Sequence, residues 1–552
     1  MTPAIAVVPA ALPVEEAARL ARRRGARLLV ARLGRAWGGA TPATLGRALG
    51  LGLGRAPVGA LLWGAPAAPP GMAEVAVRRR LGPAVPFVVV VAGGTPVGAV
   101  LREGGARNGL PGSAAEALAR VDDGRARLLG AVGALGAEMG TPVAAVGGLV
   151  RDLLRGHARP AGADLDVVVG GDGRALARRL ARALGGTVVE HAAFLTATVT
   201  LADGTRLDVA TARRERYDRP GALPGIEPAT LAEDLARRDF SVNALAIRLE
   251  RDRWGEILDP TGGLADLRGR RIRILHPLSF VEDPTRVFRA LRFAARFGFA
   301  LERTTRRLLG QAATLPVYEA LSGDRLRAEL ALILAEPDPA ATLVALGRAG
   351  AFRLLEAGYR FPVSAARLLR KVAATGRLRL GRDTVEALTV LALTAHLGAG
   401  AAEAWGTRLA LPPAIRTAIA RARGETPQLL ARLAGTRGVE EAYALLKAVP
   451  EVTAAWAHVV ARATPARGRI ADHLVRWRHL RPLVTGDDLR GLGLEPGPTF
   501  GRLLDGLLAA QAAERVRDRE GALTYVRAAL ATAAAPAARE QMQALHADQR
   551  GG

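Results

Sequence analysis

The chain has no cysteine among its 552 residues, which excludes disulfide bonds and thiolate metal sites. Lysine occurs only at Lys371 and Lys447, so almost every cation is an arginine. Asparagine occurs only at Asn108 and Asn243. Because a GC-rich genome can produce such a bias, a rare residue type inside a motif is more informative than the arginine content itself.

Long apolar runs are also missing. The longest, around 86–100 and 385–397, are short or interrupted, whereas a helix needs about 20 apolar residues to cross a bilayer. The first residues carry no basic segment ahead of their apolar part, as a secretory signal would. Together with the absence of cysteine, this predicts a cytoplasmic protein without a membrane partner.

Basic residues outnumber acidic ones. The formal net charge is +25, and the isoelectric point is about 11.5. Such an excess favours a polyanionic partner, and nucleic acid is the first candidate.

The length predicts several domains rather than a single core. Residues 1 to about 125 are rich in Gly, Ala and Pro and form two similar halves, each with an apolar strand, a helix and a pair of strands. The centre, to about 265, mixes short strands with helices, and beyond 280 the periodicity is almost entirely helical. The pattern predicts an α/β front, a mixed α/β centre and a long helical back.

Two aspartates, Asp164 and Asp166, precede an apolar run in GADLDVVVGGDG. On a strand, residues i and i+2 share a face, and two neighbouring carboxylates repel each other unless a cation lies between them. If the strand TRLDVATA pairs beside this one, Asp208 adds a third carboxylate. This set predicts a site for two Mg²⁺ ions that activate a hydroxyl and stabilise a leaving pyrophosphate. The alternative is a group of solvated acids at strand ends.

The segment VGGLVRD places Gly147 and Gly148 between a strand and a helix. Backbone N–H groups can approach a phosphate closely there, and Arg151 in the first turn can reach the same anion. The spacing is not that of a Walker loop. A simple turn is the alternative.

The segment LARRDFSVNALAI, residues 235–247, is predicted to be a helix with Arg238 and Asp239 as its charged residues. Asn243, one of two asparagines, can donate and accept hydrogen bonds at a sugar or phosphate. A plain amphipathic helix is the alternative.

In FVEDPTRVFRALRFAARFGF, Asp283 and Pro284 predict the start of a helix. At about 100° per residue, four arginines of this helix share one arc; they are Arg286, Arg289, Arg292 and Arg296. A charged stripe is usually a solvated face. Here it begins with an acid–arginine pair, which can read the amine and ring-nitrogen edge that cytosine and adenine have in common.

Taken together, GGLVRD, DLD, the aspartate of LDVATARRERY, RRDFSVNAL and EDPTRVFRALRFAARF resemble the motif series of class II tRNA nucleotidyltransferases and bacterial poly(A) polymerases, from about 126 to 325. Residues 484–508 resemble the tail of that family. The resemblance implies an α/β plus α protein with a small mixed-sheet head and a helical neck, body and tail. The predicted domains are a front at 1–125, a head at 126–265, a neck at 266–325, and a tRNA-binding body and tail at 326–552.

Residue roles follow from this resemblance. The catalytic carboxylates would be Asp164, Asp166 and Asp208, with Asp164 and Asp166 as the Mg²⁺ ligands. Within the nucleotide site, Gly148 and Arg151 would bind the triphosphate, and Asp283 and Arg286 would template the base. The nucleotide-binding candidates together are Gly147, Gly148, Arg151, Arg238, Asp239, Asn243, Asp283, Arg286, Arg289 and Arg292.

The front resembles a degenerate pair of CBS repeats, most clearly at ALGLGLGRAPVGALL, residues 48–62. The Thr-Arg-x-Asp ending common in CBS repeats is missing, so we expect a packing or tRNA-supporting role rather than adenosine-ligand binding. No phosphoesterase domain is expected ahead of the repeats. No His-Asp dipeptide occurs, so phosphohydrolase activity is not expected either.

The resemblance implies transfer of CMP and AMP from CTP and ATP to the 3′ end of tRNA. Addition of A alone, or of CC alone, is the first alternative, and poly(A) synthesis is the next. An RNA-binding or ligand-sensing protein with an inactive catalytic core is the alternative from another class. Oligomeric state is not indicated by the sequence.

Overall fold

The computed structural model describes residues 4–102, 114–119, 121–156, 165–315, 318–462 and 464–531. The chain divides into two compact units, the first ending at Arg360 and the second beginning at Phe361. Among the described helices, none is both long enough and apolar enough to cross a bilayer.

The front module, residues 4–102, repeats one order of elements. Its elements are β1 (Ile5–Val7), α1 (Val14–Arg23), β2 (Leu28–Leu33), β3 (Ala36–Ala40), α2 (Pro42–Gly50), β4 (Trp63–Ala65), β5 (Ala67–Ala68), α3 (Glu74–Arg78), β6 (Phe87–Ala92) and β7 (Thr95–Leu101). β1 pairs with β2 in parallel and β2 with β3 antiparallel, and β5, β6 and β7 repeat this pairing. Each half therefore has the predicted strand, helix and strand pair; whether they are CBS repeats stays a prediction.

The central region is built on one mixed sheet in the order β10-β11-β12-β9-β8-β15-β16. Its elements are α4 (Ala115–Leu118), α5 (Asp123–Glu138), β8 (Val143–Val146), α6 (Gly147–Leu154), β9 (Leu165–Val169), α7 (Gly173–Leu184), β10 (Thr187–His191), β11 (Thr196–Thr200), β12 (Arg206–Thr211), β13 (Arg213–Arg216), β14 (Gly225–Pro228), α8 (Leu231–Ala236), β15 (Ala246–Arg248), β16 (Ile257–Leu258), α9 (Gly263–Arg268) and β17 (Arg271–Ile272). β9 and β12 pair in parallel, which brings two motif strands side by side.

Local chemistry fixes these elements. β9 buries Leu165 and the valines at 167–169, as expected for an inner strand covered on both faces. The helix that follows, α7, begins where Asp172 accepts hydrogen bonds from the N–H groups of Arg174 and Ala175, and it ends at Gly185 in the left-handed conformation. The strand and its return helix are thus both specified locally.

The helix predicted over residues 235–247 is not formed. α8 ends at Ala236, a single 3₁₀ turn covers Ser241–Asn243, and β15 follows. Asp239 Oδ1 accepts hydrogen bonds from the N–H of Phe240 (2.8 Å) and from Nδ2 of Asn243 (3.0 Å). These side-chain bonds compete with a helical ladder, and the N–H of Ser241 donates instead to the carbonyl of Arg273.

The helical part of the first unit follows β17. Its elements are α10 (Ser279–Glu282), α11 (Thr285–Phe297), β18 (Ala300–Leu301), α12 (Arg303–Ala312), α13 (Gly323–Leu334) and α14 (Pro339–Arg348). α11 begins as predicted after Asp283, whose Oδ1 accepts a hydrogen bond from the N–H of Thr285 at 3.1 Å. Val287 and Leu291 are buried on the face of α11 opposite the arginine stripe, and Arg286 and Arg292 of the stripe are buried as well.

The second unit is helical, as the periodicity predicted. Its α-helices are α15 (Val363–Ala373), α16 (Arg382–Thr394), α17 (Ala399–Arg408), α18 (Pro413–Ala434), α19 (Val439–Leu446), α20 (Glu451–Val460), α21 (Pro465–Val475), α22 (Gly486–Gly491) and α23 (Pro498–Ala512). A separate apolar cluster near its end includes Leu489, Leu507 and Val526.

Two glycines of α5 provide a test of the packing between this helix and the central sheet. A Cβ at Gly133 would lie 1.9 Å from the carbonyl oxygen of Leu249, whereas one at Gly130 would have no neighbour within 4 Å. We expect Gly133→Ala to lower the free energy of unfolding by about 2 kcal/mol, because backbone must move. Gly130→Ala, the matched control, should raise it by up to about 1 kcal/mol. Thermal unfolding of both variants would check this, and equal midpoints would contradict it.

Candidate active site

The sheet brings two of the three predicted carboxylates together. Asp166 on β9 is the direct partner of Asp208 on β12, and paired residues of neighbouring strands project from the same face. Thr198 on β11 is opposite Asp208, and its hydroxyl donates to Asp208 Oδ1 at 2.6 Å. Asp164 lies outside the described residues. The predicted pairing of these strands is therefore confirmed.

The site has the donor chemistry of a hard divalent cation. Asp166 and Asp208 offer carboxylate oxygens side by side, an arrangement that a cation stabilises. Among the described residues, no group of three His, Cys, Asp or Glu side chains is placed to hold a metal ion. The described carboxylates thus form an acidic pair that fits a divalent cation.

The glycine turn lies directly against this acidic pair. Gly147 has φ of +75°, and a Cβ there would lie 2.6 Å from Asp166 Oδ2. Only glycine combines that backbone conformation with so close an approach. α6 starts at this residue, so its first N–H groups are presented beside the carboxylate.

A cavity of about 760 Å³ unites the predicted residues. All ten nucleotide-binding candidates line it, together with Asp166. Within the described part of the chain, its lining includes nine arginines and six carboxylates, so the cavity favours an anion. A smaller cavity of about 420 Å³ adjoins it and is lined by Asp208, with Asp166 and Arg238 common to both.

A chain of polar contacts runs across the large cavity from α6 to α13. Arg151 Nη1 donates to Asn243 Oδ1 at 2.9 Å, and Asn243 Nδ2 donates to Asp239. Asp239 Oδ2 accepts two hydrogen bonds from Arg289, at 2.7 and 3.0 Å. Arg289 Nη1 donates in turn to Glu329 at 3.2 Å. The rare asparagine therefore links the glycine-turn helix to the arginine helix.

Asp239 is the central acid of this chain, and its side chain is only 10% exposed. Burial disfavours its ionised form, but the Arg289 guanidinium and the Asn243 amide outweigh burial and hold the pKa below its ordinary value. The carboxylate is therefore charged at neutral pH. It anchors Arg289 rather than offering a free acceptor.

The acid–arginine pair is also fixed by neighbours. Asp283 Oδ1 accepts from Arg325 Nη2 at 2.7 Å, and Asp283 Oδ2 lies 3.9 Å from Arg286 Nε. Arg286 donates to Ser279 Oγ at 2.7 Å and to the carbonyl of Arg237 at 3.0 Å. The carboxylate and the guanidinium are thus both oriented before any ligand binds.

All four arginines of the predicted stripe line the large cavity. Arg292 Nη1 contacts Glu336 at 3.3 Å, and its guanidinium lies 4.7 Å from the Phe293 ring centre. Arg296 is the most exposed of the four. The stripe is therefore the wall of a site rather than a solvated face.

Comparison with known proteins identifies the family. Residues 143–273 match the family described as Poly A polymerase head domain. The CC-adding tRNA nucleotidyltransferase of Deinococcus radiodurans is 37% identical over 71% of this chain and 90% of its own length. The chain belongs to the tRNA nucleotidyltransferase family.

Other members of this family differ in length. The A-adding tRNA nucleotidyltransferase of Geobacter sulfurreducens is 36% identical over 69% of this chain, which spans only 44% of that relative's length. The structure of the Thermotoga maritima CCA-adding enzyme complexed with tRNA aligns with a TM-score of 0.63 at 29% identity. That alignment covers 76% of this chain and 99% of the other.

Several residues of this nucleotidyltransferase site were not predicted. Asp234 on α8 is fully buried and accepts hydrogen bonds from Arg237 and Arg238; its i,i+4 spacing to Arg238 was a usable signal. Arg325 and Glu329 on α13 complete the cavity wall. Arg325 lies 42 positions after its partner Asp283, and Glu329 lies 40 positions after its partner Arg289. Their segment has no motif, so only the fold reveals them.

Removing the charge at Asp239 tests the buried chain. We expect Asp239→Asn to lower the free energy of unfolding at pH 7 by about 2 kcal/mol, because Arg289 loses its paired charge. Since the pKa of folded Asp239 lies below its ordinary value of 3.8, this contribution is complete above that pH and disappears as pH falls through the folded pKa. The difference from wild type should therefore shrink below about pH 4.

Unfolding curves of wild type and variant at several pH values would measure this difference. Asp218→Asn is the matched control, because Asp218 is exposed and pairs with an equally exposed Arg216. It should leave stability unchanged. A difference for Asp239→Asn that stays constant down to pH 3 would contradict the assignment.

Proposed function

We propose that this chain transfers nucleoside monophosphates from CTP and ATP to the 3′ end of tRNA. The observation that carries the proposal is the single cavity that joins Asp166, the glycine turn, and the Asp283–Arg286 pair. These parts correspond to a reaction centre, a phosphate-binding turn and a base-reading pair. Family membership supports the same reaction class.

The triphosphate fits the arginine-rich part of the cavity. The first N–H groups of α6, at Gly147 and Gly148, would approach phosphate oxygens, and Arg151 lies buried beside them. Arg238 lines both cavities and would contact the nucleotide next to the carboxylates. The excess of arginine would balance the charge of the substrate and of the departing pyrophosphate.

Asp166 and Asp208, extended by Asp164, would hold divalent ions, and we propose Mg²⁺ because the donors are carboxylate oxygens. When bound, such ions lower the pKa of an attacking hydroxyl and neutralise charge on the leaving group. The tRNA 3′-hydroxyl loses its proton to solvent and attacks the α-phosphorus. The bond from that phosphorus to the oxygen bridging the α- and β-phosphates breaks, and pyrophosphate leaves with that oxygen. The chain's own contribution is to hold the acids and the triphosphate beside the central strands of the sheet.

Base selection would depend on Asp283 and Arg286. Cytosine and adenine each combine an amine donor with a ring-nitrogen acceptor, which a carboxylate and a guanidinium can satisfy. Uracil and guanine present a carbonyl where the amine would be, so the Asp283 carboxylate would face an oxygen instead of a donor. Arg289 and Arg292 would complete the pocket around the nucleotide.

The charge of +25 supports tRNA as the partner. We assign nucleotide transfer to the head and neck, residues 126–325, and tRNA binding to the body and tail, residues 326–552, in the cytoplasm. The relatives include an A-adding and a CC-adding enzyme, so addition of A alone, or of CC alone, is the second candidate. The base-reading pair suits both nucleotides and does not distinguish these outcomes.

A product assay would test the reaction and separate the candidates. The purified chain would be incubated with Mg²⁺ and tRNA transcripts ending at the discriminator base, at C or at CC, with CTP, ATP or both. Completion of CCA from the shortest end means full CCA addition, and extension of the CC end alone by one A means A addition. Long A tails would indicate poly(A) synthesis. No extension at all would overturn the proposal and favour an RNA-binding protein.

The acidic pair should be essential for turnover but not for tRNA binding. We expect Asp166→Ala and Asp208→Ala each to lower kcat by at least about a thousandfold. Each change removes a ligand of the proposed metal ions, and the charge stabilisation that such ions provide is worth several kcal/mol. Single-turnover extension and a gel-shift assay would be measured side by side. Asp203→Ala, in the turn between β11 and β12, is the control and should keep activity. Retained turnover in Asp208→Ala would remove it from the catalytic set.

A further inference from the structure

The front module reaches the base-reading pair through one ion pair. Arg47 on α2 makes a two-point contact with Glu282: Nε lies 2.6 Å from Oε1, and Nη2 donates to Oε2 at 2.8 Å. One charge-assisted hydrogen bond and one close ion contact therefore hold the two side chains together. Glu282 is the residue immediately before Asp283. A residue 235 positions earlier in the sequence thus holds the neighbour of the candidate template.

Glu282 depends on that partner. Its side chain is 1% exposed, and burial raises its pKa to about 7 although Arg47 and Arg286 oppose the rise. The other charged or titratable groups that face it are His276 and Glu215. Arg47 is therefore the cation in direct contact with the carboxyl group of Glu282, which is buried beside the candidate active site.

The turn that carries Glu282 also holds both members of the base-reading pair. Ser279, at the start of α10, accepts a hydrogen bond from Arg286. At the other end of α10, the carbonyl of Glu282 accepts from the N–H of Gly221 at 3.1 Å. The carbonyl of Gly221 accepts from Arg325, the same arginine that holds Asp283. A shift of Glu282 would therefore move Asp283 and Arg286 together.

The front module is firmly attached on this side. Leu278 and Val281, which flank the turn, are members of the apolar core formed by the front module. Arg307 on α12 donates to the carbonyl of Gly59 at 2.9 Å and to that of Leu62. The module therefore offers a rigid support from which Arg47 can act on the turn.

We infer that Arg47 is a positioning residue for nucleotide selection, and that the front module sets the geometry of Asp283 and Arg286 through Glu282. This inference rests on the proposed function. It assigns the module a mechanical part in base recognition, without a ligand of its own. Arg47 does not line the cavity, so it acts only through Glu282.

The test is a double-mutant cycle of Arg47→Ala, Glu282→Gln and both together, assayed for CMP and AMP addition to tRNA transcripts. Displacing a positioned group by about 1 Å can change rates up to a hundredfold, so we expect the KM for the nucleotide to rise at least about fivefold. The KM for tRNA should stay unchanged, and misincorporation of UMP and GMP should increase. The double variant should lose no more than either single variant, because both remove one interaction.

Two further variants separate positioning from loss of structure. Arg47→Lys keeps the charge and should recover part of the nucleotide KM, whereas Arg55→Ala, at an exposed arginine of the same module, should match wild type. Thermal unfolding would confirm that each variant is folded. Should Arg47→Ala fail to fold, Arg47→Gln retains most of the side-chain stem and takes its place.

The outcomes distinguish this inference from the proposed function. A wild-type chain that transfers no nucleotide overturns both. If the wild type is active, three results overturn the inference alone. Arg47→Ala behaves like wild type, or its KM rises equally for tRNA and for nucleotide, or the losses of Arg47→Ala and Glu282→Gln add up in the double variant. A selective rise in nucleotide KM that is non-additive with Glu282→Gln supports it.

Discussion

The site depends on the hydrogen bonds and ion pair made by the carboxylate of Asp239. This carboxylate accepts hydrogen bonds from Asn243 on one side and from Arg289 on the other. Asn243 also accepts a hydrogen bond from Arg151 on α6, the helix that begins at the glycine turn, and Arg289 belongs to α11. One charge therefore connects the phosphate-facing helix to the helix that carries the base-reading arginine. Each of these side chains bonds to more than one partner, so the loss of one bond would loosen the side chains on both sides of Asp239.

The register of two strands in the central sheet places the acidic residues of the site. Parallel pairing of β9 with β12 places Asp166 beside Asp208 without any special turn, because register alone decides which residues share a face. A slip of one residue on either strand would move one acid to the opposite face. Because both faces of β9 are covered, such a slip would bury the Asp166 carboxylate on the face that now holds Leu165 and the valines at 167 and 169, and the cost of burying that charge disfavours the slip. Burial of the strand thus secures the geometry of its polar residues.

Sequence reasoning succeeded where chemistry and periodicity agree. The glycine turn before a helix and the arginine arc of α11 follow from local spacing, and the structure confirms both. The pairing of Asp208 with Asp166 was a condition of the predicted site, and the structure meets that condition. Sequence reasoning failed at 235–247, where apolar spacing suggested a helix but Asp239 and Asn243 bond to the local backbone and to each other. Helical periodicity does not reveal that competition.

Contacts between distant segments were beyond the reach of the sequence. Arg325 and Glu329 carry no motif, and the contact of Arg47 with Glu282 joins residues 235 positions apart. Both depend on which faces of two helices meet, a choice made by packing of the whole unit. Such partners can be found only after the fold is known.

The contacts at this site explain why arginine rather than lysine is found there. Arg289 contacts both Asp239 and Glu329, Arg286 donates to a hydroxyl and to a carbonyl, and Arg47 engages both oxygens of Glu282. Each contact uses the planar, several-donor guanidinium, which a single ammonium group does not reproduce. Genome composition can explain why arginine is abundant on the surface. Around the cavity the geometry itself requires arginine, so at these positions a change to lysine would not be conservative.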